Sequence, residues 1–268
     1  MSQEQEKDNT YLVPGLMRGL DILRMFRRDR QVLDAPEIAE ELGIPRTTVF
    51  RLLQTLESAG FLVRANGGRS YQLGVAVLGL GFAFLAPQDI TELARPILER
   101  LRDDTRFSTH LVIRDGRDVV YLLRFPGHSA LNFNIGVGTR LPAHATSMGR
   151  MFLSELSSKK LDELYHDSLL VSTSKQTPIN LTELKRLLEQ DRQRGYIISE
   201  GFFEKGINAI AVPVRDASSK VVAVINLIMR EGEVDRERLH GDLLEQVLSA
   251  AEQLSLGLGY TNIKRLSA

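Results

Sequence analysis

Pro36-Glu37-Ile38-Ala39-Glu40-Glu41-Leu42-Gly43-Ile44-Pro45-Arg46-Thr47-Thr48-Val49-Phe50-Arg51-Leu52-Leu53-Gln54-Thr55-Leu56-Glu57-Ser58 reads as two short helices joined at Gly43. Asp34, just ahead of Pro36-Glu37, fits a helix start with proline in the first turn. Ile38, Ala39 and Leu42 give the first helix an inner face, and Gly43 can take the backbone geometry that ends it. Pro45 opens the second helix, whose buried stripe is Val49, Leu52, Leu53 and Leu56. Arg46, Thr47, Thr48, Arg51 and Gln54 fall largely elsewhere on that cylinder. A helix-turn-helix presents side chains to a DNA groove in this way. Threonine hydroxyls near a helix start can meet phosphates or base edges, and arginine can fork onto guanine or clamp a phosphate. A solvated charged face on a three-helix bundle explains the apolar pattern equally well. It does not explain the joint placement of turn, Arg/Thr cluster and following hairpin.

Residues 1–13 read as a flexible start. Gly15–Arg28 places Leu16, Leu20, Leu23 and Phe26 on one helical face, with Ile22 beside it. Beyond the second helix of the pair, Gly60 marks a stop. Phe61–Val63 and Ser70–Leu73 read as strands around Asn66-Gly67-Gly68, a hairpin turn signal. Arg64 and Arg69 flank its tip, so the hairpin has the charge of a wing touching backbone or minor groove; a plain hairpin would give them no role. Gly74–Phe84 reads as a helix in spite of its glycines, apolar on more than one side through Val77, Leu78, Leu80, Phe82 and Phe84. Such a helix packs on a second domain, on another subunit or into its own core.

The charge distribution agrees with a local rather than a global nucleic-acid surface. Over 268 residues the 34 basic and 34 acidic side chains cancel, which excludes a uniformly basic coat. From Arg46 to Val75, four arginines stand against one glutamate, whereas residues 1–75 balance ten against ten. The absence of cysteine excludes disulfides, thiolate nucleophiles and Cys-ligated metal. No apolar run reaches 18 residues and Met1–Thr10 carries no signal-peptide core, so the expectation is a cytoplasmic chain without a membrane partner.

The second half reads as helices around an antiparallel or mixed sheet, an α+β domain. Helices are expected over Ile90–Thr105, Ser147–Ser154, Ser157–Tyr165, Leu181–Arg194 and Arg236–Leu256. Strands are expected over Ser108–Ile113, Val119–Arg124, Ser129–Asn134, Asn208–Arg215 and Val221–Met229. There are no repeating βαβ units and no glycine-rich dinucleotide loop. The loop Gly136–Arg150 combines turn glycines with Arg140, His144, Thr146 and Ser147 before entering a helix. Backbone donors at a helix start can hold a carboxylate; an ordinary capped loop accounts for the same residues. His144 near Ser147 could suggest nucleophilic catalysis, but no nucleophile-elbow pattern or third member accompanies it. His110, His128 and His240 make no recognised metal spacing. No catalytic residue, metal or cofactor is assigned.

Over residues 14–258 the chain resembles the IclR family of bacterial transcription regulators. The similarity rests on Gly15-Leu16-Met17-Arg18-Gly19-Leu20-Asp21-Ile22-Leu23, Ile38-Ala39, Pro45–Leu53, Gly60-Phe61-Leu62 and Tyr71-Gln72-Leu73-Gly74. In the second half it rests on Leu141–Arg150, Gly195-Tyr196 and Gly206–Val214. The resemblance implies a winged helix-turn-helix over 14–74, a linker helix over 75–88 and a GAF-like effector-binding and oligomerisation domain over 89–262. It implies a homodimer or homotetramer acting on palindromic double-stranded operator DNA, with RNA polymerase as a further partner and a small organic or aromatic acid as effector. DNA contacts fall on Arg46, Thr47, Thr48, Arg51, Gln54, Arg64 and Arg69. By position, the effector pocket draws on Ser147, Met148, Ser199, Glu200, Ala209, Asn226 and Ile228, with Arg140 and His144 at its entrance. Relatives often carry Gly-Ala or Ala-Ala at Ser147-Met148 and serine at Asn226 and Ile228. This pocket therefore gains a thioether, an amide and an aliphatic group, which suits an aromatic or extended acid. A metabolic enzyme with an accessory winged-helix module is the alternative from another class; a third reading uses both domains only for assembly.

Overall fold

A computed structural model of the chain describes residues 12–27, 29–85, 89–128, 135–166 and 170–261. The chain divides into two compact units between residues 87 and 88.

The first unit opens with α1 (Pro14–Met25), whose buried residues are Gly19, Ile22 and Met25. Leu16 and Leu20, expected inside, are exposed instead. The helix is apolar on two sides, so a 3.6-residue period fits either arc; the small core takes the one centred on Ile22. The helix also stops at Met25, short of Arg28, because Phe26 turns to extended geometry and Arg27 bridges to Arg30. β1 (Leu33–Asp34) leads directly into α2 (Ala35–Leu42). Asp34 accepts from the Glu37 amide, and the Glu37 carboxylate accepts from the Asp34 amide. This reciprocal capping satisfies two orphan donors of the first turn. Gly43 ends α2 at φ 63°, and its N–H reaches back to the carbonyls of Ala39 and Glu40. That left-handed geometry is one that a Cβ disfavours. α3 (Arg46–Ser58) follows with Val49 and Leu53 buried. Together with Ile22, Ile38, Leu33, Leu62 and Tyr71 they form the core, each large aliphatic contributing about 1.5–3 kcal/mol on full burial. β2 (Leu62–Ala65) pairs antiparallel with β3 (Ser70–Leu73), which also carries β1. Asn66–Gly68 make the turn between them. α4 (Ala76–Leu85) leaves Leu78, Leu80 and Phe84 exposed.

The second unit is α+β around a six-stranded, wholly antiparallel sheet. Its elements are α5 (Asp89–Thr105), β4 (Ser108–Asp115), β5 (Asp118–Phe125), β6 (Arg140–Pro142), α6 (Ser147–Ser154), α7 (Ser158–Tyr165), α8 (Leu181–Arg194), β7 (Ile197–Glu200), β8 (Ile207–Arg215), β9 (Val221–Arg230), α9 (Arg236–His240) and α10 (Asp242–Gly257). The strand order is β6-β5-β4-β9-β8-β7. α5 and α10 pack on each other and on the sheet, while α6 packs on β7, β8, β9 and α8. β6 and β7 were not expected, since three or four residues give too few alternations to register as a period-2 pattern. The single long helix expected over Arg236–Leu256 is two, broken at Gly241. The strand expected over Ser129–Asn134 lies outside the described residues, as do residues 1–11 of the expected flexible start.

Candidate functional site

On α3 the leucine stripe turns one side of the cylinder inward, and Arg46, Thr47, Phe50 and Arg51 stand exposed on the other. Thr48 lies half-buried on the flank. Pro45 precedes the helix without a capping side chain, so the first-turn amides of Arg46 and Thr47 are donors for an anion such as phosphate. Arg46, Arg51 and Arg69 have no carboxylate within ion-pair distance among the described residues. The two remaining polar candidates are tied to each other through Glu57. Its carboxylate accepts from Gln54 Nε2 at 3.1 Å and from Arg64 Nε at 2.9 Å. Arg64 also donates to the Gly68 carbonyl and lies 5.1 Å from the Tyr71 ring centre. Hydrogen bonding to Glu57 is the main reason its pKa rises further. The bond network therefore uses Arg64 to brace the hairpin against α3, and leaves Arg69 at the hairpin tip as a cation open to a partner.

In the second unit, the sheet register sets two rows of side chains on one face. Ser199 pairs with Ala209 and Ala209 with Ile228; one step along, Ile197, Ala211, Asn226 and His110 align. The start of α6 closes over this face. Thr146 caps the helix through its Oγ1, which accepts from the Gly149 amide at 3.1 Å. A Cβ on Gly149 would sit 2.2 Å from Ala143 Cα. Glycine is what lets α6 press onto the preceding turn Ala143–Ala145. The result is a cleft with about 450 Å³ of empty space, its open mouth included, lined by Tyr121, Ile135, Leu141, Thr146, Ser147, Met148, Ser199, Phe203, Ile207, Ala209, Asn226 and Ile228.

Among the described residues no formally charged side chain lines this cleft, and most of its wall is apolar. Its polar end is specific. His110 is buried, and its Nδ1 donates to Asn226 Oδ1 at 2.9 Å. Burial pushes the His110 pKa down to about 4, partly opposed by the bond to Asn226, so the ring is neutral at pH 7. The Asn226 Nδ2 is buried and has no partner among the described residues. An amide donor held without a partner costs about 1–3 kcal/mol, a cost that an acceptor on a ligand removes. The His110 ring also meets Tyr121 edge-on at 5.3 Å, and burial raises the Tyr121 pKa. Arg124, whose charge adds to the lowering of the His110 pKa, turns one guanidinium nitrogen onto the Ile135 carbonyl at 2.6 Å.

Six of the nine expected effector residues line the cleft: Ser147, Met148, Ser199, Ala209, Asn226 and Ile228. Three stand elsewhere. Arg140 is bound to Asp115 and Asp118 at 2.8 and 3.0 Å, clamping β6 to the β4–β5 turn. His144 is buried with its Nε2 bonded to the Val171 carbonyl at 3.0 Å. Glu200 pairs with Arg236 at 2.9 Å, a bond that lowers its pKa. Tyr121, Ile135, Leu141, Thr146, Phe203 and Ile207 were not anticipated as pocket walls. Thr146 and Leu141 lay in the loop already singled out; Tyr121 and Ile207 carry no chemical signal until strand register puts them on this face. Among the described residues no group of three or more potential metal ligands occurs, and no helix is long and apolar enough to cross a membrane.

Comparison with known proteins gives two family matches: the IclR helix-turn-helix domain over residues 15–65 and the bacterial transcriptional regulator IclR C-terminal domain over residues 82–256. The Pca regulon regulatory protein of Pseudomonas putida is 32% identical over 240 residues, which cover 89% of this chain and 82% of that one. The HTH-type transcriptional regulator XynR of Escherichia coli K12 is 30% identical over 249 residues, covering 93% and 98%. A solved structure of an IclR homolog from Microbacterium hydrocarbonoxydans, complexed with 4-hydroxybenzoate, superposes with a TM-score of 0.79 at 25% identity, covering 91% of this chain and 98% of that one.

Proposed function

This chain belongs to the IclR family of bacterial transcriptional regulators, ligand-responsive proteins that bind DNA, and from that premise we propose the residues and the effector class through which it acts. The α3 ridge of Arg46, Thr47, Thr48 and Arg51 reads base edges and phosphates of a palindromic operator, with Arg69 at the wing tip on the backbone and Gln54 and Arg64 holding wing and helix together. The observation carrying this reading is that Arg46 and Arg51 stand exposed on the polar side of a helix pinned by Val49 and Leu53, with no ion-pair partner among the described residues. Acting on a palindrome requires two copies. A homodimer or dimer of dimers is in keeping with the exposed Leu16, Met17 and Leu20 of α1 and Leu78, Leu80 and Phe84 of α4.

The effector we infer is an aromatic or extended organic acid with one carboxylate. The first-turn amides of Ser147 and Met148 at the start of α6, without a hydrogen-bond partner among the described residues, suit a carboxylate, and the Met148, Phe203, Ile207 and Ile228 walls suit a ring. The Asn226 amide suits an acceptor oxygen on the ligand. A second carboxylate would have no cationic side chain to meet it among the described lining residues. The relative solved with 4-hydroxybenzoate agrees with this class, and control of a catabolic operon follows as the biological reading. We read the second unit as GAF-like on the same basis.

Binding of purified protein to duplexes selected from a randomised pool tests the DNA half. A thermal-shift panel of aromatic monocarboxylates, their neutral methyl esters and matched dicarboxylates tests the ligand half. Stabilisation by monocarboxylates alone is expected; equal stabilisation by the esters or by the dicarboxylates contradicts the assignment. Turnover of any acid in the panel would favour an enzyme instead.

A further inference from the structure

The outer face of α3 carries one residue that neither a solvated helix nor a phosphate-binding helix calls for. Phe50 is 55% exposed and takes no part in the core formed by Val49, Leu53 and their neighbours. It stands four residues after Arg46, four before Gln54 and next to Arg51, so the ring lies amid the polar ridge rather than at its margin. Leu52 and Leu56, by contrast, are partly buried against the core.

Base edges in the major groove offer hydrogen-bonding groups and one apolar group, the C5-methyl of thymine. A phenyl ring carries no donor for a phosphate and no acceptor for a base. If α3 enters the groove with Arg46 and Arg51 outermost, a ring between them reaches base edges, and the methyl is the only group there that gains from it. We propose that Phe50 is a specificity-determining residue that selects a thymine at one position in each half-site by packing on its methyl group. The assignment rests on the DNA reading of α3 given above and adds to it a thymine preference that the arginines do not supply; the Phe50 variants separate it from a contact by the Thr47 or Thr48 methyl.

The test uses the full chain and the duplex that wild-type protein selects from a randomised pool. Each thymine in turn is replaced by deoxyuridine, which deletes the methyl and leaves pairing and all hydrogen-bonding groups intact. Wild-type affinity should fall about threefold to fivefold for one thymine per half-site, the worth of a single buried methyl. Phe50→Ala, which removes the ring from both half-sites at once, should lose about the square of that factor, roughly tenfold to twenty-fivefold, on the thymine duplex and become indifferent to deoxyuridine there; Phe50→Leu, which keeps an apolar contact, should retain part of the preference. Folding of both variants is checked by thermal melting; should Phe50→Ala fail to fold, the milder Phe50→Leu carries the comparison, and a deoxyuridine penalty identical to wild type in it overturns the assignment.

A wild type indifferent to every deoxyuridine overturns the proposal while leaving the DNA reading standing. So does a Phe50→Ala chain that keeps the same deoxyuridine penalty. A Phe50→Ala chain that dissociates into a smaller species with its thymine dependence unchanged assigns the ring to a contact between copies of the chain, and also overturns it. A pool from which no common sequence emerges removes the DNA reading itself and the Phe50 assignment with it.

Discussion

Arg46 and Arg51 illustrate how much one side chain can decide. Both lie outside the core of the first unit, so removing either leaves the fold intact and changes only what the helix can hold. Arg51→Ala should weaken operator binding by about 1–3 kcal/mol per half-site, roughly fivefold to a hundredfold or more for each copy bound, if it forks onto a base. Arg46→Ala, as a phosphate contact, should weaken all sequences alike and reduce the slope of log affinity against log salt by about one per copy bound. Fluorescence anisotropy at several salt concentrations separates the two; unchanged affinity in both variants removes α3 from the groove. His110 makes a prediction of a different kind. The unfolded chain takes up a proton on this histidine near pH 6.5, whereas the folded one refuses it until about pH 4. Protonation thus favours the unfolded state across that window, and the stability His110 leaves intact at pH 7 is lost as pH falls from 6.5 towards 4, at up to about 1.4 kcal/mol per unit. Denaturant titrations of wild type and His110→Gln should diverge in slope over that range and run parallel above pH 7.

At the scale of elements, α6 has the most to hold in place. Arg150 forms a two-pronged ion pair with Asp191 of α8, at 2.7 and 2.8 Å, and stacks 4.3 Å from the Phe202 ring centre. Both partners are buried. Arg150→Met leaves Asp191 uncompensated and should cost about 3–5 kcal/mol, while Arg150→Met combined with Asp191→Leu should recover much of that loss. Urea denaturation measures both. Gly149→Ala drives a methyl into the backbone of Ala143, so it should displace the start of α6 and abolish ligand-induced thermal stabilisation before it abolishes folding.

Legibility in the sequence follows the same physics. Gly43, Pro45 and the Val49–Leu53–Leu56 spacing made the paired helices plain, because caps and period act locally. The Ser147–Ser154 and Leu181–Arg194 helices were found with their observed bounds for that reason. α1 was found, but its inner face was misjudged, since Leu16 and Leu20 satisfy the period as well as Gly19 and Met25 do. In the cleft, Ser199, Ala209, Asn226 and Ile228 were reached by family resemblance. Tyr121 and Phe203 had no local mark at all, and Arg140 and His144 looked ligand-like although Arg140 is engaged by Asp115 and Asp118 and His144 Nε2 by the Val171 carbonyl. Which partner a charged side chain finds is a long-range fact that spacing does not contain.

For the whole molecule, a ligand can change transcription only by binding one DNA-affinity state more tightly than another. The coupling is reciprocal: an effector that weakens operator binding tenfold must itself be held tenfold more weakly by the operator-bound protein. A typical coupling of about 1–3 kcal/mol gives a change of fivefold to 150-fold. The most direct measurement is therefore the operator dissociation constant of the full-length chain, read by anisotropy on the selected duplex while an aromatic monocarboxylate that stabilises the protein is titrated to saturation. A shift of at least fivefold in either direction, absent from Asn226→Leu protein that still binds the duplex, is the predicted result. A dissociation constant that stays flat while the ligand saturates the cleft would contradict ligand control by this site.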